Sequence, residues 1–367
     1  MNIAIIGAGA VALSSAALAV KNGHRVSLWS ALPHEVAALR ALGHVTCEGE
    51  LAGTFPIAVV AEAGQAIAAA DIVMIAAPAF AHRALMTACV PHVRPEQLLV
   101  MNTATGFGSM LWSRLLAGRN VAPTIVDLAT TICTARVSGA GRVRVGPLKP
   151  GVSVATIPAA RGAAGRAALT EAFGDFFVLR ESALAIALNN HNPVYHVPAL
   201  LFSLPTVERA EPWNLWRNLT PMIARYAGKL DDERMTVASR FGVEAIPLAT
   251  YLRTSMDLQG DDLVALFAAA AIKRPLPSGP TSVEDRYMTE DMPYGMVFFR
   301  ALGQAADVPM PVSEHLIDLC SDLYGRDFRT EAPGLAELGL AGQSPAEISR
   351  LARDGFHPAA ALRQSVP

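Results

Sequence analysis

A short apolar run, Ile3 to Ile6, feeds straight into Gly7-Ala8-Gly9-Ala10-Val11-Ala12, and an alanine-rich stretch follows to Asn22. A buried strand that turns at once into a helix leaves the first N–H groups of that helix aimed over the turn, where they favour an anion. Gly7 permits the tight turn, Gly9 has no Cβ to hold a pyrophosphate away, and Ala12 keeps helix and strand close. A second apolar strand, His24 to Trp29, comes next. That spacing predicts the opening of a dinucleotide-binding fold, and disfavours a glycine turn in some other α/β protein.

The 367 residues supply material for two domains with real cores. The chain is 52% hydrophobic and 17% charged, much of the apolar share being alanine, as closely packed helices require. No uncharged apolar run reaches the roughly 18 residues of a membrane span, and a chain that starts on a core strand leaves no room for a leader peptide. Cys47, Cys89, Cys133 and Cys320 are scattered without a CxxC pair, so neither a disulfide framework nor a metal site is expected, and a reducing cytoplasm is the default. Residues 1–179 hold 13 Lys and Arg against 9 Asp and Glu, the remainder 17 against 23, and the net charge is −2. A mildly positive first half suits an anionic cofactor, while the lack of a basic run argues against nucleic acid.

Short apolar runs at 2–6, 24–29, 55–60, 72–76, 98–101, 124–127, 152–157 and 176–179 alternate with helical patterns, which predicts a parallel sheet covered by helices. Beyond Arg180 the pattern turns helical: 181–188, 193–204, 215–227, 231–241, 245–254, 263–271, 294–306, 311–323 and 345–354, with a loop at 273–280. The expected architecture is α/β, an N-terminal Rossmann-type parallel sheet domain (1–179) followed by an all-helical second domain (180–367). Chemistry is expected in the cleft between them.

The second strand ends Leu28-Trp29-Ser30-Ala31-Leu32, with no carboxylate before Glu35. An acid at that end reads the 2′-hydroxyl of NAD and repels the 2′-phosphate of NADP. Its absence leans the expectation slightly to NADP(H) over NAD(H). Pro78 and Ala79 read either as a wall for the nicotinamide end or as an ordinary strand-to-helix turn, and Thr103 supplies a hydroxyl at the same sheet edge. The expected cofactor-binding set is Gly7, Gly9, Ala10, Val11, Ala12, Ser30, Pro78, Ala79 and Thr103, with His82 a weaker candidate.

In the helical half, Asn192 before Pro193 reads as an N-cap followed by proline at the first helical position, which puts Asn192 and His196 on one helix face. An imidazole is the natural proton carrier near neutral pH. Glu284-Asp285-Arg286-Tyr287-Met288-Thr289-Glu290-Asp291-Met292-Pro293 gathers charge in an otherwise apolar chain. Arg286 has the planar fork that grips a carboxylate, and Asp291 can orient a histidine. The same stretch also reads as a plain helix start.

Taken together, Gly7-x-Gly9-x-x-Ala12, Ala77-Pro78-Ala79-Phe80-Ala81-His82, Asn192-x-x-x-His196 and Arg286-Tyr287-Met288-Thr289-Glu290-Asp291-Met292-Pro293 resemble the opine dehydrogenases (the octopine/nopaline dehydrogenase family). The resemblance runs along the chain in domain order, and Arg-Tyr-x-Thr-Glu-Asp-x-Pro is its most specific piece. It implies NAD(P)H-dependent reductive condensation of an amino acid amine with an α-keto acid such as pyruvate. It further implies His196 as the proton-transfer residue, Asp291 as its partner and Arg286 as the keto-acid anchor, with Asn192 completing the catalytic set. The chain departs from the family at Ile132-Cys133-Thr134-Ala135-Arg136, where a Tyr-x-Cys-Arg-like run is usual, so Arg136 is a weaker second anchor.

Two other functions compete. A 2-keto or 3-hydroxy acid reductase would place a lysine on the helix entering the second domain, and residues 181–204 contain none. A non-catalytic NAD(P)-binding sensor would keep the glycines and lose the reacting groups. The partners expected are small molecules, an amino acid and an α-keto acid, with no nucleic acid, no membrane and possibly a second copy of the chain in a homodimer.

Overall fold

The computed structural model describes residues 1–357, so residues 358–367 of the expected second domain lie outside it. Two compact units divide the chain: Met1–Ala187 joined by the stretch from Arg350, and Leu188–Ser349. The first unit thus runs past Arg180 and takes back the chain near its end. Gly355, at φ +76°, turns that segment against Ile157 and Ser113, and the Phe356 N–H donates to Ser113 Oγ at 2.9 Å.

Among the described residues the first unit holds twelve strands: β1 (Asn2–Ile6), β2 (Arg25–Trp29), β3 (His44–Gly49), β4 (Gly53–Pro56), β5 (Ala58–Val59), β6 (Ile72–Ile75), β7 (Leu98–Met101), β8 (Thr124–Leu128), β9 (Cys133–Gly139), β10 (Arg142–Leu148), β11 (Val152–Ile157) and β12 (Phe177–Leu179). Eight form one sheet in the order β12-β11-β8-β7-β6-β1-β2-β5. Its centre is parallel and buried, as a sheet with helices on its faces must be. The expectation of a wholly parallel sheet is corrected at one place: β11 runs antiparallel to β8. A parallel return needs a crossover, usually a helix. The chain between β8 and β11 instead forms the β9–β10 hairpin, so β11 comes back reversed.

That hairpin belongs to a second, four-stranded sheet, β4-β3-β10-β9, that was not anticipated. Its strands are half polar. In β10, Val143 and Val145 are buried while Arg142 and Arg144 face solvent, a period of two over too few residues to stand out. Helix α1 (Ala10–Lys21) packs against both sheets, and Ala12 through Ala19 are all buried. Only small side chains allow a helix to be covered so widely, and Leu13 shares one apolar core with Ile5, Val45, Val143 and Val145. Burying each such Leu, Ile or Val contributes roughly 1.5–3 kcal/mol.

The second unit is helical, and several helix boundaries differ from expectation. The expected helices 215–227 and 231–241 are instead Leu215–Asn218 and a long Pro221–Arg240. Pro221 fits a first helical turn, and its predecessor Thr220 is held extended (ψ 166°), so the break falls there. Gly228 is carried inside the long helix, where a Cβ would lie 3.4 Å from Leu263 Cδ1. That helix buries an ion pair: Arg234 donates to Asp231 Oδ1 from Nε (2.9 Å) and Nη2 (2.6 Å), and also reaches the carbonyls of Leu188 and Ile246. An unpaired buried charge is costly, so this arrangement fixes the backbone on both sides of the segment entering the next helix.

Candidate active site

Helix Asn192–Leu201 begins from a segment held on three sides. Asn189 Oδ1 accepts from the Ile246 N–H at 2.7 Å, His191 Nε2 lies 2.7 Å from the Ile246 carbonyl, and the His191 ring stacks on Tyr251. Burial first, then the Arg234 charge, pushes the His191 imidazole down to about 3, so it is a neutral donor to that carbonyl. The N-cap is His191 rather than Asn192, and Asn192 is the first helical residue. The capping role has moved because Asn190 Oδ1 already accepts the Asn192 N–H at 3.2 Å. The Asn192 side chain instead accepts from the Tyr195 hydroxyl at 3.3 Å.

One turn on, His196 is buried and its Nδ1 lies 2.8 Å from Asp291 Oδ2. Asp291 immediately precedes a π-helical turn, Met292–Met296, that leads into helix Val297–Ala305. The wide turn seats Gly295 on the start of the histidine helix: a Cβ there would lie 2.2 Å from Pro193 Cγ. Gly295 is therefore what lets two segments distant in sequence approach closely enough for their side chains to pair. Tyr287 stacks on the imidazole at 3.8 Å between centroids and 5° between planes, and Tyr195 meets it edge-on at 4.5 Å. With one nitrogen bonded, one face stacked and a second ring set edge-on, rotation of His196 is hindered.

Burial lowers the His196 pKa, the Asp291 hydrogen bond and charge act against that, and Arg286 adds to the lowering. The ring is neutral near pH 7. A carboxylate can only accept at Nδ1, so the proton sits there and Nε2 carries the lone pair. Arg286 opens the one-turn helix Arg286–Thr289, whose N-cap Asp285 accepts from the Tyr287 N–H at 3.2 Å. Desolvation works against the Arg286 charge, but Asp291 and Glu290 hold its pKa above the usual value. Among the described residues no hydrogen bond or ion pair engages its guanidinium, which leaves the fork for an anion. His196 and Asp291 are thus in direct contact, Asn192 lies one turn before His196 on the same helix, and the Arg286 charge is felt by His196. Arg136 lies in β9 of the first unit, exposed.

The nucleotide candidates of the first unit also converge. Ile6 pairs with Trp29 and Ile75, and Ile75 with Met101, so Gly7, Ser30, Ala76–Ala79 and Thr103 all lie at the C-terminal edge of one sheet. Gly7 sits at φ +129°, and a Cβ would meet the Ala76 carbonyl at 2.4 Å. Around Gly9 nothing lies within 4 Å of a built Cβ, and α1 has no side-chain cap, so the N–H groups of Ala10, Val11 and Ala12 are left for an incoming anion. This cradle fits a dinucleotide pyrophosphate. Pro78 caps helix Ala79–Cys89, and Thr103 Oγ1 is 2.9 Å from Thr105 Oγ1. His82 is buried, its Nε2–H donates to the Ala77 carbonyl at 2.9 Å and burial pushes its pKa down to about 4, so it serves the turn and is no general acid.

Two acids find partners that carried no signal in the sequence. Glu35 folds back so that Ser30 Oγ donates to its Oε2 at 2.5 Å, although four residues part them. Asp127 on β8 is buried, accepts from Ser109 Oγ at 2.5 Å, and burial pushes its pKa up to about 7. Among the described residues no group of three or more His, Cys, Asp or Glu side chains is placed to hold a metal ion, and no helix is long and apolar enough to cross a membrane.

Residues 179–324 match the family described as NAD/NADP octopine/nopaline dehydrogenase, alpha-helical domain, and residues 2–125 match the NAD-dependent glycerol-3-phosphate dehydrogenase N-terminus. An opine dehydrogenase of Arthrobacter sp. (strain 1C) is 28% identical over 353 residues, spanning 94% of this chain and 97% of the relative. Octopine dehydrogenase solved with NADH and L-arginine superimposes with a TM-score of 0.78 at 19% identity, covering 97% of this chain and 100% of that one. Yersinopine dehydrogenase with bound NADP+ gives 0.69 at 15% identity, covering 96% and 98%.

Proposed function

Since this chain belongs with the opine dehydrogenases, carrying the α-helical domain of the octopine/nopaline family, we propose that His196 is the proton-transfer residue of its reaction, positioned by Asp291. The chain is an NAD(P)-dependent oxidoreductase of the CH–NH type, condensing an amino acid amine with an α-keto acid. The buried 2.8 Å contact between His196 Nδ1 and Asp291 Oδ2 carries the residue assignment.

The amine nitrogen attacks the keto carbon, the carbonyl oxygen takes up a proton, and a carbinolamine forms. Loss of water gives an imine, and hydride addition at the imine carbon gives the secondary amine. Each stage moves a proton on or off nitrogen or oxygen. Neutral His196, with its Nε2 lone pair facing outward from the Asp291 bond, accepts one, and Asp291 then stabilises the imidazolium. Arg286 holds a substrate carboxylate by its two-pronged donor set, with pyruvate the simplest keto acid of that kind. NAD(P)H, when bound, would supply the hydride, and the backbone N–H groups following Gly9 would hold its pyrophosphate. The lean to NADP(H) rested on there being no acid before Glu35, and the Ser30–Glu35 contact removes that ground.

The setting is a reducing cytoplasm, in keeping with four cysteines that are all buried and unbridged. Phe202, Met222 and Leu323 expose apolar surface on the helical unit, which favours a homodimer. The test follows consumption of reduced nicotinamide with pyruvate and a panel of amino acids. Turnover requiring both substrates, and abolished in His196→Asn with dinucleotide binding intact, is the expected result. A His196→Asn enzyme of near-normal rate removes the residue from the mechanism, and turnover with pyruvate alone replaces condensation by simple keto-acid reduction.

A further inference from the structure

We propose that Glu35, locked in place by Ser30, reads the adenosine ribose and makes this chain selective for NADH over NADPH. The inference rests on the dinucleotide reading of the first unit and names which dinucleotide.

At the C-terminal end of β2 the position that would read the ribose holds Ser30, and Ser30 is 6% exposed. Its hydroxyl is fully used, donating its one proton to Glu35 Oε2 at 2.5 Å and accepting from the Leu32 N–H at 3.2 Å. It has no proton left for a phosphate. What the strand end presents instead is the Glu35 carboxylate, delivered by the first turn of α2 (Pro33–Leu42), where Pro33 starts the helix. A carboxylate held by one oxygen keeps acceptor sites for a ribose hydroxyl and repels a 2′-phosphate. The acid is therefore displaced by five places in sequence but returned by the fold to the strand end.

The surroundings offer a phosphate little compensation. Residues 26–39 contain no Lys or Arg. The nearest cation along α2 is Arg40, and its Nε is bonded to the Val59 carbonyl at 3.2 Å, on β5 beside β2. The loop after β5 adds another acid, Glu62, the N-cap of helix Ala63–Ile67. Because Glu35 is only partly buried, solvent screens the repulsion, and the discrimination is expected on the order of tenfold to a hundredfold rather than absolute.

The measurement is binding of NADH and NADPH to the full chain without substrates, by calorimetry at fixed ionic strength, for the parent protein and for Glu35→Gln, Ser30→Ala and Arg40→Ala. Tighter binding of NADH by about tenfold or more is expected. Glu35→Gln should close most of that gap, chiefly by strengthening NADPH, and Ser30→Ala should close part of it. Arg40→Ala should leave the ratio unchanged. NADPH binding at least as tightly as NADH, a ratio indifferent to Glu35→Gln, or loss of NADPH binding in Arg40→Ala each overturn the proposal while leaving the dinucleotide reading intact. Failure of both nucleotides to bind overturns the two together. A correct binding ratio without condensation activity overturns only the proposed reaction.

Discussion

Adding a single methyl group at Gly295 should disable the catalytic pair without touching either member of it. The new Cβ would sit 2.2 Å from Pro193 Cγ and 2.8 Å from Pro193 Cβ. Carbon atoms rest at about 3.5–4.0 Å, so the π turn and the start of the histidine helix must part by about 1 Å or more. Both are backbone-anchored in a packed interior, and overpacking of this kind costs about 1–3 kcal/mol. The His196–Asp291 contact, now 2.8 Å, would stretch beyond hydrogen-bonding range. A misplacement of about 1 Å at a reacting group costs on the order of a hundredfold in rate. Gly295→Ala should therefore lower kcat on the order of a hundredfold, with little change in dinucleotide affinity, and should lower the melting temperature by several degrees. Pairing it with Pro193→Ala removes the nearest carbon but keeps the second, so part of both losses should return. The assay is steady-state kinetics with calorimetric unfolding for the four proteins of the cycle. A Gly295→Ala enzyme with parental rate and melting temperature would refute the claim that this close approach sets the pair. So would losses that Pro193→Ala does nothing to relieve.

Replacing Arg286 by leucine should raise the keto-acid KM at least tenfold while leaving the dinucleotide Kd near its parental value; equal effects on both would make the arginine structural. Asp127 gives a stability prediction with a definite sign. Its native pKa of about 7 lies above the 3.8 of an unperturbed aspartate, so the native state keeps the proton longer than the unfolded one. The associated stability is present below pH 3.8 and is lost as pH rises towards 7, up to about 4 kcal/mol. Asp127→Asn should therefore unfold at a higher temperature than the parent at pH 8 and at nearly the same temperature at pH 4; a lower melting temperature at pH 8 contradicts the assignment. His82 and His191 act oppositely. Burial lowers them from 6.5 to about 4 and about 3, so their stability is lost as pH falls below 6.5, and Asp127→Asn should show the steeper acid limb.

The Rossmann turn was readable because its chemistry is local: glycine at positions 7 and 9 followed by a small residue at 12 answers to backbone demands a few residues wide. His196 and Asp291 were readable as partners, but what brings them together was not. The device joining them is a contact of Gly295 with Pro193, and in sequence that glycine looks like a mild blemish in a helix. The second sheet was hidden for a different reason. β9 and β10 gain their burial from α1, far away in sequence, and carry only two or three apolar side chains on the covered face. Glu35 shows the same limit at the cofactor end, since counting along the strand looked for an acid at the end itself, whereas the fold brings one in sideways from the next helix.

The bond from the Phe356 N–H to Ser113 Oγ spans 243 positions of sequence, and the whole of Leu188–Ser349 lies inside that span. In connectivity the helical unit is an insertion, and the first and last pieces of the other unit must find each other across it. During synthesis that other unit stays open until the insertion has been made, so the helices have time to settle before the nucleotide half is sealed. A proteolytic nick between the two pieces would turn an intramolecular closure into an encounter between separate chains.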